Sequence, residues 1–196
     1  MPGPVIVGIT GASGALMARA MVDELLRRDT PTAVVCSNAA RMVWQEELGA
    51  SFNETLVEWQ EHPAFVHYAL NDLRAPIASG SYPAAGMALV PASMNSIASL
   101  ANGISNNLLL RAADVCLKER RPLTLVPRET PLHSIHLENM LTLSRMGAVI
   151  LPPDPAFYLN PQSVDDVVRY VVGKVLVSLG IDQELPTDLQ YGERVI

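Results

Sequence analysis

The chain has 196 residues, 49% of them apolar and 17% charged, with 14 Lys and Arg against 20 Asp and Glu. That length fits one domain with a substantial core, and an acidic balance without a basic run excludes the charge footprint of a nucleic-acid binder. Cys36 and Cys116 stand too far apart for a disulfide framework or a C-x-x-C half-site, Met1-Pro2-Gly3-Pro4 lacks the cationic start of a signal peptide, and no apolar stretch reaches ~20 residues, which predicts a soluble, unsecreted, cytoplasmic chain.

Short apolar runs rich in β-branched residues alternate with amphipathic segments. Val5–Ile9, Ala33–Cys36, Met87–Val90, Leu123–Val126 and Ala148–Leu151 read as buried strands, each followed by a turn and a helical pattern. This is the pattern of an α/β fold with a mostly parallel sheet. Segment 51–83 has a weaker period and reads as a helix or two followed by an irregular loop. The last helix is the clearest: Val164, Val167, Val168, Val171, Val172, Val175, Leu176 and Leu179 recur at helical spacing, with Pro161 and Ser163 as its start and Gly180 as its stop. Residues 1–181 therefore form one domain. The polar tail 182–196 has no period and is expected to fray or to rest on a neighbouring subunit. A charged fraction below the usual ~25% predicts a homo-oligomer.

In open parallel sheets ligands bind where strand C-termini meet helix N-termini. The first strand ends in Gly8-Ile9-Thr10-Gly11-Ala12-Ser13-Gly14, small residues through which backbone amides approach an anion while Thr10 and Ser13 offer hydroxyls. This is neither a P-loop, since no Lys follows, nor the G-x-G-x-x-G of a dinucleotide fold. The second strand ends at Ser37, and the middle one at Ser93-Met94-Asn95-Ser96. Each serine is also a good helix cap, yet three successive strand ends carrying Ser suit the sparsely charged edges of a flavin. Five of the fourteen cations, Arg111, Lys118, Arg120, Arg121 and Arg128, lie between residues 111 and 128. Arg111 with Asp114 reads equally well as a salt-laced helix face. Arg128-Glu129, just past a buried strand, places a cation beside a carboxylate, as a phosphorylated substrate exchanging a proton requires. His133, His136 and Glu138 read as capping or packing rather than a metal site, and no other metal motif is present.

Taken together, the Gly8–Gly14 loop, Ser79-Gly80-Ser81, Arg111–Val115 running into Leu117–Leu123, Arg128-Glu129-Thr130-Pro131-Leu132, His136–Met140 and Pro155-Ala156-Phe157-Tyr158 resemble the UbiX family of flavin prenyltransferases, once called aromatic-acid decarboxylases. The resemblance runs from residue 5 to about 181. It implies a flavodoxin-like Rossmann fold with three α/β/α layers, assembly as a dodecamer, and FMN bound between subunits. The implied reaction joins the dimethylallyl group of dimethylallyl phosphate to N5 and C6 of reduced FMN, making the prenylated cofactor of UbiD-type decarboxylases. By the same resemblance Gly11, Ala12, Ser13, Ser37, Ser93, Met94, Asn95, Ser96 and Arg128 contact FMN, and Tyr158 and Lys174 hold the prenyl phosphate, with Arg111, Lys118 and Glu129 completing the pocket. Glu47, Glu129, Ser13 and Lys118 are the implied catalytic groups, Glu47 matching the acid/base carboxylate. Three residues depart from the family pattern: Lys174 where many members carry Arg, Ala92 before Ser93 where Cys is frequent, and Tyr191 near a frequent Trp. Two other readings compete. A flavin-dependent cysteine decarboxylase needs a His on the helix after the second strand, and residues 39–48 have none. A non-catalytic FMN carrier has no use for Glu47, Lys118 and Glu129.

Overall fold

The computed structural model describes residues 3–192. Met1 and Pro2 of the N-terminal Met1–Pro4 segment and residues 193–196 of the tail lie outside the described residues. Six parallel strands, β1 (Val5–Ile9), β2 (Thr32–Cys36), β3 (Phe65–His67), β4 (Gly86–Ala92), β5 (Leu123–Pro127) and β6 (Val149–Ile150), stand in the order β3-β2-β1-β4-β5-β6. The central strands are apolar on both faces because helices cover both. On one side lie α1 (Ala15–Arg27), α2 (Asn38–Leu48), α3 (Phe52–Gln60) and α7 (Val164–Ser178). On the other lie α4 (Met94–Ala101), α5 (Leu108–Lys118) and α6 (Ser134–Arg145), which makes three layers.

The unforeseen element is β3, inside the segment read as a helix followed by a loop. Its three residues are too few to show a period of two, and only pairing with Thr32–Val34 of β2 makes them a strand. Without it the remaining strands run in the flavodoxin-like order 2-1-3-4-5. Helix boundaries follow local chemistry. Ser51 with Glu54, and Ser163 with Asp166, form capping boxes opening α3 and α7. Val164, first of the spaced valines, is 69% exposed; the buried stripe begins at Val168.

Over its described part the tail packs back on its own chain. Leu189 is buried, Leu185 and Leu189 pack over Gly173, where a Cβ would come within 3.0 Å of the Leu185 side chain, Arg169 pairs with Asp188, and Arg28 reaches Asp182 at 2.7 Å. A polar segment has no period to reveal this, since its anchors are single apolar residues landing on a gap in α7. Both cysteines are free and buried, which pushes the Cys36 thiol up to about 12 and that of Cys116 to about 11, so neither is a nucleophile near neutral pH.

Candidate functional site

The strand order reverses between β1 and β4, leaving a crevice beyond their C-terminal ends where a ligand of an open α/β sheet sits. Thr10 closes the floor of that crevice. The residue is 2% exposed, and its hydroxyl donates to the Pro91 carbonyl at 2.7 Å and accepts from the Ser93 amide at 2.7 Å. The sequence offered this hydroxyl to a ligand; the structure spends it on tying β1 to β4 and fixing the first residue before α4. Thr10→Val keeps the shape and strands the Ser93 amide. The expected result is a loss of about 1–3 kcal/mol in a denaturation experiment, while Thr10→Ser stays nearer wild type.

Two of the strand-end serines cap helices. Ser37 accepts from the Ala40 amide and opens α2; Ser93 accepts from the Ser96 amide and opens α4, with the two hydroxyl oxygens of Ser93 and Ser96 3.0 Å apart. A capping hydroxyl accepts one bond and keeps its own proton, so capping leaves Ser37 able to donate. Gly11 turns hard against α2: a Cβ there would sit 2.4 Å from that of Ala39, which only glycine avoids. Among the described residues no hydrogen bond is made by the amides of Met94 and Asn95 or by the Nη atoms of Arg128, whose Nε donates to the Ser13 carbonyl at 3.3 Å. These donors and the positive end of α4 converge on the crevice.

Glu47 enters the same place from the end of α2. Its Oε2 accepts from the Gly14 amide at 2.9 Å and the Ala15 amide at 2.8 Å, so the carboxylate fills the N-terminus of α1, which no cap of its own satisfies. Partial burial pushes its carboxyl up, but the Ser13 hydroxyl, the two amides and the charge of Arg128 outweigh it and hold the carboxyl below its ordinary 4.5. Helix α2 is held by Trp44, fully buried, whose ring meets Phe52 and Trp59 edge-on at 5.3 and 5.6 Å and whose Nε1 donates to Thr55. The weakly periodic segment thus aims Glu47 at the crevice.

The structure therefore brings Gly11, Ala12, Ser13, Ser37, Glu47, Ser93 to Ser96 and Arg128 to one edge of the sheet. Glu129 lies beside them, exposed, its carboxylate accepting from the Thr130 amide. Arg111 and Lys118 are elsewhere. Lys118 ends α5 at the opposite sheet edge, paired with Glu119 against Gly80, roughly 20 Å away along seven-residue β4 at ~3.3 Å per residue. Arg111 donates to the Ala78 carbonyl and pairs with Asp114 at 2.8 Å, the salt-laced face the spacing allowed. Tyr158, on a short 3-10 turn (Phe157–Leu159), and Lys174, on α7, are both exposed and close enough for the ammonium to act on the phenol. His133 caps α6 and stacks on His136, and no group of three or more metal-ligating side chains is assembled among the described residues. No described helix is long and apolar enough to cross a membrane.

The sequence profile of the Flavoprotein family matches residues 2–176. The flavin prenyltransferase UbiX of Alkalihalophilus pseudofirmus is 47% identical over 192 residues, covering 95% of each chain. The chain belongs to the UbiX family of flavin prenyltransferases. Among solved structures, AnUbiX (PadA1) in complex with FMN and dimethylallyl pyrophosphate superposes with a TM-score of 0.86 at 38% identity, covering 93% of this chain and 94% of that one. A dodecameric FMN-dependent UbiX-like decarboxylase from Escherichia coli O157:H7 gives 0.84 at 42%, covering 90% and 94%. Against the family pattern, one polar group beside Tyr158 and Lys174 escaped the sequence reading. Tyr170 stands one helical turn before Lys174, its hydroxyl 3.3 Å from that of Tyr158. The signal is its i, i+4 spacing from Lys174, which the apolar stripe of α7 masks.

Proposed function

We propose that this chain transfers the dimethylallyl group of dimethylallyl phosphate to N5 and C6 of reduced FMN, and that the prenylated flavin serves a UbiD-type decarboxylase. The observation that carries the reading is the meeting of the Glu47 carboxylate, the Ser13 hydroxyl and Arg128 at the switch point of a UbiX-family fold. The residues present fit FMN: the Ser37 hydroxyl proton, the amides of Met94 and Asn95, and the Nη atoms of Arg128, whose Nε alone is taken by the Ser13 carbonyl, are donors with no partner among the described residues, in an edge of small residues. The purified protein should accordingly bind FMN more tightly than riboflavin, since these donors need a phosphate. Equal affinities by calorimetry would count against this assignment.

When bound, reduced FMN supplies a nucleophilic nitrogen and ring carbon. The chain's own residues do the rest. As the allylic carbon–oxygen bond breaks, charge grows on the departing phosphate, and Lys174 and the Tyr158 hydroxyl meet it. Glu47, held as a carboxylate, takes a proton through Ser13. Lys118 ends α5 at the opposite edge of its own protomer, so a role for it at this pocket requires a neighbouring copy, while Arg111, in the first turn of α5, is engaged by the Ala78 carbonyl and Asp114. The outward face of α6 and its flanks, with Leu132, Ile135, Leu137, Leu141 and Met146 all between 41% and 61% exposed, fits such an assembly. Light scattering should give a mass many times 21.2 kDa; a monomer would remove Lys118 from the site.

The deciding experiment is anaerobic incubation with reduced FMN and dimethylallyl phosphate or diphosphate, followed by mass spectrometry of the released flavin. A mass increased by one C5H8 unit is expected. Unmodified flavin with both donors would refute the reading.

A further inference from the structure

We propose that Tyr170 is a direct ligand of the donor phosphate, its phenol completing with Tyr158 and Lys174 a three-point anion cradle on the outer face of α7. This rests on the prenyltransferase reading and adds a residue to it. Tyr170 and Lys174 are i, i+4 on one helix, so their side chains lie one above the other on a single face. Tyr158 reaches the same point from the 3-10 turn, with its hydroxyl 3.3 Å from that of Tyr170 and its ring braced edge-on by Tyr191 at 5.3 Å. Three polar tips carrying five potential donor protons therefore converge from two elements.

The chemistry of the three groups calls for the third. A lysine is a point charge, whereas the guanidinium frequent at this position offers a fork of two parallel donors to phosphate. With Lys174 in place, one donor is missing from the set, and the Tyr170 hydroxyl lies where it can supply one. Its bond to Tyr158 is long for a pair of hydroxyls, whose usual separation is ~2.7–2.8 Å, so exchanging it for two bonds to an anion costs little. Hydrogen bonding to Tyr170 holds the Tyr158 phenol above its ordinary value, against the opposing pull of Lys174, so it remains protonated and a donor at neutral pH. Among the described residues the Tyr170 hydroxyl bonds to no group but Tyr158. The neighbouring acids do not compete for the cradle: Asp166, one turn earlier, accepts from the Gln162 and Ser163 amides, and Asp188 is paired with Arg169.

The test is Tyr170→Phe, which keeps the ring and removes only the hydroxyl. In the FMN-loaded enzyme the KM for dimethylallyl phosphate and the inhibition constant of inorganic phosphate are expected to rise together by about 5- to 20-fold, with FMN affinity and Tm unchanged. Tyr170→Phe should worsen KM further when placed on Tyr158→Phe. Lys174→Arg on the Tyr170→Phe background should recover most of the loss, because the guanidinium returns a second donor. An unchanged KM in Tyr170→Phe would overturn the proposal. So would the absence of any added effect on Tyr158→Phe, since Tyr170 would then act only by positioning Tyr158. Failure of the underlying reading looks different: the wild-type enzyme itself would show no saturable dependence on dimethylallyl phosphate.

Discussion

Glu47→Gln is expected to retain FMN while forming prenylated flavin at least about 100-fold more slowly, the lower end of what a positioned acid or base contributes. The amide can set its oxygen where Oε2 now takes the Gly14 and Ala15 amides, so the loop keeps its shape. What goes is the negative charge that makes this group a proton acceptor beside Ser13. The charge also sits at the N-terminus of α1, a favourable place for an anion by about 0.3–1 kcal/mol on an exposed surface, so a modest fall in Tm accompanies the loss of rate. Its pH dependence has a definite sign. The Glu47 carboxyl in the folded chain lies below its ordinary 4.5, so its stabilisation is complete above that value and disappears as pH falls through the folded value. The Tm gap between wild type and Glu47→Gln should therefore be widest near neutrality and shrink below pH 4.5. Full production of prenylated flavin by the variant would show that another carboxylate carries the proton, with Glu129 the next to test.

Lys174→Ala is expected to lose roughly 30- to 150-fold in donor binding and turnover, equivalent to about 2–3 kcal/mol for a bond to a charged partner. FMN affinity should stay near wild type, because Lys174, on α7 with Tyr170 and acting on Tyr158 of the 3-10 turn, makes no recorded bond to the crevice donors among the described residues. Folding is not at stake: the side chain is exposed, and alanine is the best helix former. Lys174→Arg should match or exceed wild type through its bidentate grip on phosphate. Steady-state assays with varied dimethylallyl phosphate decide both, and an unchanged donor dependence in Lys174→Ala would make this an ordinary surface lysine.

The sequence by itself determined the class of fold, five of the six strands and the serine-lined strand ends, because each rests on information carried within a few residues. A buried parallel strand is a short apolar run, and α7 announces itself by its stripe and by Ser163 and Asp166 at its start. Only tertiary structure made Phe65–His67 a strand, since three residues acquire that state from their partner β2. The same holds for the described part of the tail, which two leucines anchor on a gap at Gly173. At the site, the sequence could name Glu47, Ser13 and Arg128 but not their meeting: Glu47 is 33 residues from Gly14, and Arg128 is 115 from Ser13. It could offer the Thr10 hydroxyl to a ligand, but whether a hydroxyl is free depends on what faces it, and Pro91 and Ser93, brought alongside by the β1–β4 pairing, consume it. Lys118, grouped in sequence with Arg128 as one cationic island, ends at the far edge of the sheet because β5 runs the length of the domain between them. Spacing along the chain fixes which residue types are available, and the sheet order fixes which of them share an edge.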